Sequence, residues 1–462
     1  MYQRRRDSRQ AKVRRSAVAS VVAVIAAVAA VGCGSSSTST SSSAGASSAT
    51  NSSNTSQHVT LNFMSLANSP GVEAAWGQLI KAYEQQNPGV TINRMPVAYA
   101  NYRTRVKLQA SASDAPDMVE GDMGPGGVMA SLVTAHLLAP LDSYAAQYGW
   151  SSKFGALANQ LRIAPNGKNV GTGSMYGIPD FAEVLGVFYN KQDLAKLHLQ
   201  VPTTFDQFQS SLAAAKAAGV TPLLIGGADK FPWSHIYDIL ADQFGEPQAL
   251  ISWFNGAKDA TIVTPGMVKA GQVLQSWFKD GYFESGANGV SDADAMQRFA
   301  HGESLYHVSG PWDTAGGVQG LGQNLGFFLL PVSTAGAQPA STGWMGWSVG
   351  ITAHSSHASA AAGFLNFLTT AAARDIMLSH YNPPGTPGTK YGPTTNPVVR
   401  TVGEAYDGLV GTGRLVPYMD VAYPQAAPYD ILANAQAMAA GQMSVDDFLK
   451  KSQQGWATYH GF

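Results

Sequence analysis

Residues 59–64 read Val-Thr-Leu-Asn-Phe-Met, and the stretch after them carries apolar side chains at Val72, Ala75, Trp76, Leu79, Ile80 and Tyr83. The first segment alternates with period two, as a strand does; the second has the three-and-four spacing of a helix over residues 72–86. Asn87-Pro88-Gly89 stops that helix. Val90 to Val97 reads as a second strand, Tyr102 to Ala112 as a second helix, and Asp117-Met118-Val119 as a short buried strand after Pro116. The order β-α-β-α-β predicts an α/β fold with a parallel sheet and helices on its faces. Ligands of such sheets bind beyond the carboxyl ends of the strands. Residues 65–70 and 120–127 are therefore candidate site loops.

A second α/β stretch follows. Residues 183–189, 222–225, 304–308, 325–330 and 347–352 read as strands. Residues 205–218, capped by Thr203 or Thr204, read as a helix, as do 233–244, 267–279 and 358–370. The tail over 430–456 is mainly helical, and no internal repeat of 20–50 residues is visible.

The 462 residues are 45% hydrophobic and 13% charged, enough apolar material for more than one core. A single Cys excludes a disulfide framework or a Cys-rich metal site. The formal net charge of −1 hides an asymmetry. Seven Lys and Arg side chains lie in residues 1–32, so the remainder holds 22 basic against 29 acidic side chains. An acidic body has no field to attract nucleic-acid phosphates, which argues against DNA or RNA as a partner.

The basic cluster Arg4 to Arg15 precedes an apolar run from Ala17 to Val31, broken only by Ser20. This is the pattern of a signal peptide over residues 1–32. The run is too short to span about 30 Å of hydrocarbon comfortably. Gly34 to Gln57 has no charge and is nearly all Ser, Thr, Ala, Gly and Asn. Such a segment cannot bury a core and reads as a flexible tether over residues 33–57.

No G-x-S-x-G, H-E-x-x-H or G-x-x-x-x-G-K-[ST] motif occurs. Gly171-Thr172-Gly173 and Gly320-Leu321-Gly322 lack the setting of a dinucleotide site and read as turns. His354 and His357 flank a helix start in a Ser-rich loop, and His301 and His307 read as surface or core histidines. No metal and no cofactor is expected.

Tryptophans are instead placed at Pro- and Gly-flanked positions. Trp233 follows Phe231-Pro232, Trp312 follows Gly310-Pro311 and precedes Asp313, and Trp344 and Trp347 bracket Met345-Gly346. An indole at a strand end offers a flat apolar face to a sugar's C–H surface, while the hydroxyls need carboxylate, amide or backbone partners. Trp76, Trp150, Trp253, Trp277 and Trp456 read as core.

Nine further segments, in order, resemble the extracellular solute-binding proteins of ABC importers, in the sugar-binding, maltose-binding-protein-like branch. They are Ala115-Pro116-Asp117-Met118-Val119, Leu137-Leu138-Ala139-Pro140-Leu141, Tyr176-Gly177-Ile178-Pro179, Glu183 through Val187-Phe188-Tyr189-Asn190-Lys191, and Pro202-Thr203-Thr204-Phe205. Phe299-Ala300-His301-Gly302-Glu303, Gly310-Pro311-Trp312-Asp313, residues 363–369 and residues 441–446 complete the set. Gly32-Cys33-Gly34 at the end of the apolar run is similar to a bacterial lipobox, with Ala30 where Leu is commonest. That resemblance implies lipidation of Cys33 and a membrane anchor outside the cytoplasm. Arg14-Arg15 leaves the export route open.

The resemblance implies a two-lobed periplasmic-binding-protein fold, hinged around a central cleft. Lobe 1 is expected over 58–182 plus about 348–375, and lobe 2 over 183–347 plus about 376–462. Carried over singly, the family's ligand contacts match Asp122, Glu183, Trp233 and Trp312, with Tyr423 as the additional aromatic near a Pro-x-Met turn. Asp313, Trp344 and Trp347 join them from the reading of the residues. Glu120-Gly121 departs from the maltose binders, which speaks against maltose itself. The implied function is capture of a sugar or oligosaccharide by cleft closure and delivery to the transmembrane subunits of an ABC permease, by a monomer with no enzymatic activity. Two other readings use the same residues. A secreted glycosidase also needs paired carboxylates in an aromatic cleft. A binder of a non-sugar ligand such as a polyamine would surround it with Asp122, Glu183 and Asp313.

Overall fold

In the computed structural model, which describes residues 58–334 and 336–462, strand β1 (Val59–Ala67) lies inside a five-stranded sheet. The expected signal peptide, Cys33 and tether lie outside the described residues. Helix α1 (Pro70–Gln86), strand β2 (Val90–Ala98), helix α2 (Tyr99–Ala110) and strand β3 (Met118–Gly121) follow in the order the periodicity predicts. β1 pairs in parallel with β2, Val59 opposite Val90 through Ala67 opposite Ala98, and in parallel with β3. Leu61 and Phe63 point into a core built around Trp76 of α1, whose ring meets Phe63 at 5.2 Å and Phe181 at 5.9 Å. Edge-on aromatic pairs of this kind add roughly 0.5–1.5 kcal/mol each beyond the area they bury.

The local order alone predicted a parallel sheet, but the sheet is mixed. Ser348–Ile351 enters antiparallel to β3, and Ile178–Pro179 antiparallel to that strand. Both arrive from distant parts of the chain, so no β-α-β pattern announces them. A second, four-stranded sheet has the order Leu325–Phe328, Gly186–Asn190, Ser304–Ser309, Thr221–Leu224. Its one parallel pair joins Ser304–Ser309 to Thr221–Leu224.

The chain crosses between the two sheets in segments that touch one another. Residues 180–185 leave the first sheet. Trp344 and Gly343 pair with Glu183 and Val184 on the return, and Phe181 bridges Pro384 on the last passage. Helix Ala371–Ser379 packs on α1, ahead of that last passage. At the second crossing, Gly346 has φ +69°, and a Cβ there would strike the Phe181 carbonyl and the Asp180 carboxylate. Only glycine fits that turn, which sets Trp344 and Trp347 on either side of it. No helix among the described residues is long and apolar enough to cross a membrane.

Candidate functional site: a cleft between two lobes

β1 and β3 end at a cavity of about 730 Å3, walled on the opposite side by elements of the second sheet's lobe. That volume is in the range of small-molecule sites. The loop residues Leu66 to Pro70 and Asp122 to Gly124 form the first wall, as strand-end geometry predicts. The lobes touch around the cavity. Ser69 Oγ donates to the Trp312 carbonyl at 2.6 Å, Gly126 N to the Val421 carbonyl at 2.8 Å, and the Tyr459 hydroxyl to the Pro125 carbonyl at 2.8 Å.

Six of the eight residues expected to meet ligand lie on this wall: Asp122, Glu183, Trp312, Asp313, Trp344 and Trp347. Trp233 and Tyr423 do not, and both expectations are corrected. Helix Phe231–Phe244 turns 100° per residue, so Phe231 and His235 face the cavity while Trp233, between them, points into the core. Its ring packs on Phe283 at 4.9 Å, and Nε1 donates to Asn288 Oδ1 at 2.8 Å. Tyr423 is 2% exposed, with its hydroxyl donating to the Tyr429 carbonyl. The 3-10 turn Met419–Val421 carries the chain inward before Tyr423 is reached. The cavity residues of that segment are Tyr418, Asp420 and Val421, a few positions earlier.

Asp122 is held in place rather than free. Its Oδ1 accepts from Val128 N at 2.7 Å, and Oδ2 pairs with Arg103 Nη2 at 2.9 Å. Arg103, from α2, is a cavity residue the sequence did not announce. Glu183 stands at the first crossing. Burial, then the charges of Asp122, Asp420 and Glu120, push its carboxyl up to about 8. Asp420 is raised to about 6, by burial first, with Arg103 opposing. The aromatic side is a box in which the His235 ring meets Tyr418 at 4.9 Å and Trp312 at 5.9 Å. Burial drops His235 to about 3, so it is neutral and serves as a flat wall. Trp347 packs on Tyr102, and Trp344 on Phe254, each at 5.3 Å.

Two buried polar atoms on this wall have no hydrogen-bond partner among the described residues, Trp344 Nε1 and Asp420 Oδ1, while the Tyr418 hydroxyl faces the Glu183 carboxyl. Buried polar groups left unpaired cost about 1–3 kcal/mol each. Groups of this kind are aimed at a ligand when they line a cavity.

At the other end of the wall, Asp292, His307 and Asp313 bring ligand-type atoms within 4.8 Å of one another. His307 is therefore not an isolated histidine; Asp313, six residues on, is its partner in space. His307 Nδ1 faces the Leu224 carbonyl at 3.2 Å, and Nε2 faces Asp313 Oδ2 at 3.0 Å. Both neighbours can accept from a protonated ring, and the bond and charge of Asp313, with the charge of Asp292, raise the imidazole against its burial.

The model of the bacterial extracellular solute-binding protein family matches residues 67–375. The chain belongs to that family. This solute-binding protein is 24% identical over 320 residues to the multiple sugar-binding protein of Streptococcus mutans, covering 68% of this chain and 72% of that one. It is 24% identical over 265 residues to the galactooligosaccharide-binding protein of Bacillus subtilis, covering 54% and 56%. Among solved structures, a chitin oligosaccharide binding protein superposes with a TM-score of 0.73 at 19% identity, over 87% of this chain and 99% of that chain. The binding protein RafE in complex with raffinose superposes with a TM-score of 0.68 at 18% identity, over 87% and 100%. The two-lobed architecture of this solute-binding protein is thus that of its family.

Proposed function

We propose that this solute-binding protein captures a sugar or oligosaccharide outside the cytoplasm and delivers it to the transmembrane subunits of an ABC permease. The observation that carries the reading is the cavity between the lobes, where the indoles of Trp312, Trp344 and Trp347 share a wall with Asp122, Glu183 and Asp313. Indole faces suit the C–H surface of a pyranose, and carboxylates accept from its hydroxyls. The relatives named for sugars and oligosaccharides support the same class.

A ligand bonded to both walls favours the closed arrangement by its differential affinity for it, and the closed form is the one a permease reads. Lobe 1 in this reading comprises 58–182 and the return over about 348–375, and lobe 2 the remainder. The protein works as a monomer, tethered to the membrane by a lipid on Cys33, and leaves its ligand intact.

Titration calorimetry with a broad panel of mono- and oligosaccharides tests the ligand class; no binding across the panel rejects it. Chromatography of the recovered ligand tests the absence of hydrolysis. Cys33→Ser should release the protein from the membrane fraction, and retention of the variant there rejects the anchor.

A further inference from the structure

Six carboxyl groups line the cavity: Asp122, Glu183, Asp229, Asp292, Asp313 and Asp420. Among the described residues, Arg103 is the one guanidinium or ammonium on that wall. Its Nη2 is bonded to Asp122 Oδ2, and Asp313 has the His307 ring behind it. Glu183 and Asp420 have no ion-pair partner among the described residues. Asp420 is 5% exposed, and its Oδ1 is buried without a partner and faces the cavity. The Tyr418 ring, next but one in the chain, is part of the same wall.

We propose that this solute-binding protein selects a glycan bearing a protonated amine, and that Glu183 and Asp420 hold the ammonium against the Tyr418 wall. The inference rests on the glycan reading above and names the class of glycan.

The physical reason is the charge left over. A neutral hydroxyl brings one donor and no charge, so it satisfies one oxygen and leaves the crowded carboxyl groups without a counter-charge and partly protonated. An ammonium brings up to three donors and a unit charge. Charge-assisted bonds to carboxylates are roughly twice as strong as neutral ones. An aromatic face adds attraction for the cation, more so where water is excluded. The titration behaviour agrees with the geometry. Glu183 faces Asp122, Asp420, Glu120 and Tyr418, and Asp420 faces Arg103, Asp122 and Asp430. Burial and these neighbours raise Glu183 to about 8 and Asp420 to about 6. A cation arriving between them favours their charged forms and expels a proton at neutral pH.

The test is calorimetry on the full chain with matched glycan pairs that differ only in an amine. One pair is β-1,4-linked glucosamine oligomers against their N-acetylated forms; another is an amine-bridged pseudo-oligosaccharide against its oxygen-bridged counterpart. The amine member of at least one pair should bind about tenfold tighter or better, roughly 1.4 kcal/mol. Its apparent enthalpy at pH 7 should change with the ionisation enthalpy of the buffer, reporting proton release. Asp420→Asn should shrink the affinity ratio within that pair by about tenfold, or 1.4 kcal/mol. The wild-type comparison stands even if the variant fails to fold. Neutral members binding as tightly as amine members in every pair overturns the amine inference and leaves the glycan reading intact. Spermidine binding without any glycan supports the ammonium site and overturns the glycan reading. No binding of any pair, or of spermidine, overturns both.

Discussion

His307 Nε2 lies 3.0 Å from Asp313 Oδ2, with the histidine 1% and the aspartate 5% exposed. Ser309 Oγ donates to the same Asp313 oxygen at 2.7 Å, and Asp313 presents its carboxyl group to the ligand cavity. The second sheet thus fixes a carboxylate on the cleft wall through a buried histidine behind it. Burial alone would lower the imidazole; the bond and charge of Asp313, with the charge of Asp292, outweigh it and raise His307 above 6.5.

A raised native value means that the folded state holds the proton more tightly than the unfolded chain. The stabilisation is present in full below about pH 6.5, the unfolded imidazole value, and is lost as pH rises through the native value. His307→Ala removes one partner of a buried pair and should cost roughly 3–5 kcal/mol in urea unfolding at acidic pH. The gap between wild type and variant should narrow as pH rises. A gap that does not vary with pH would mean the ring is neutral.

Trp312 supplies a face of the aromatic box while its carbonyl accepts from Ser69. Trp312→Ala keeps the backbone bond and removes the face. Ligand affinity should fall about tenfold or more, roughly 1.4 kcal/mol. Unchanged affinity by calorimetry would take Trp312 out of the site.

Trp233 is fully buried and bonded to Asn288. Trp233→Ala should cost roughly 3–5 kcal/mol of stability, and the folded fraction should keep its ligand affinity. A large loss of affinity with an unchanged Tm would return Trp233 to the cleft.

Gly346 and Gly413 both have left-handed backbone, at φ +69° and +66°, but a Cβ on Gly413 meets nothing within 4 Å. Gly413→Ala should cost only the dihedral strain, about 1–2 kcal/mol. Gly346→Ala adds collisions with Phe181 and Asp180 and displaces Trp344 and Trp347, so Tm and ligand affinity should fall together. Equal thermal shifts for the two variants would show that the crossing turn has room to adjust.

The first lobe was legible because its signals are local. Alternation in Val59–Met64, helical spacing from Val72, and the stop at Asn87-Pro88-Gly89 report backbone periodicity, and the elements lie within a few residues of those limits. The strand-end rule then located the loops bearing Asp122 and Met123. Tryptophan flanked by Pro or Gly was a less reliable signal. It found Trp312, Trp344 and Trp347, yet misplaced Trp233, because a Pro at a helix start leaves open which turn of the helix faces the cavity. His235 could have been found from Phe231, four residues earlier, had the helix been phased on Phe231 rather than on Trp233.

By itself, the sequence determined the α/β element order, the acidic body and the order of family segments, since composition and periodicity are properties of neighbours along the chain. Tertiary structure alone decided that Arg103 neutralises Asp122, that His307 stands behind Asp313, and that Tyr418 and Asp420 rather than Tyr423 reach the cavity. Those pairings join residues from separate elements across two lobes. Their energies depend on burial and distance in space, which sequence spacing does not encode.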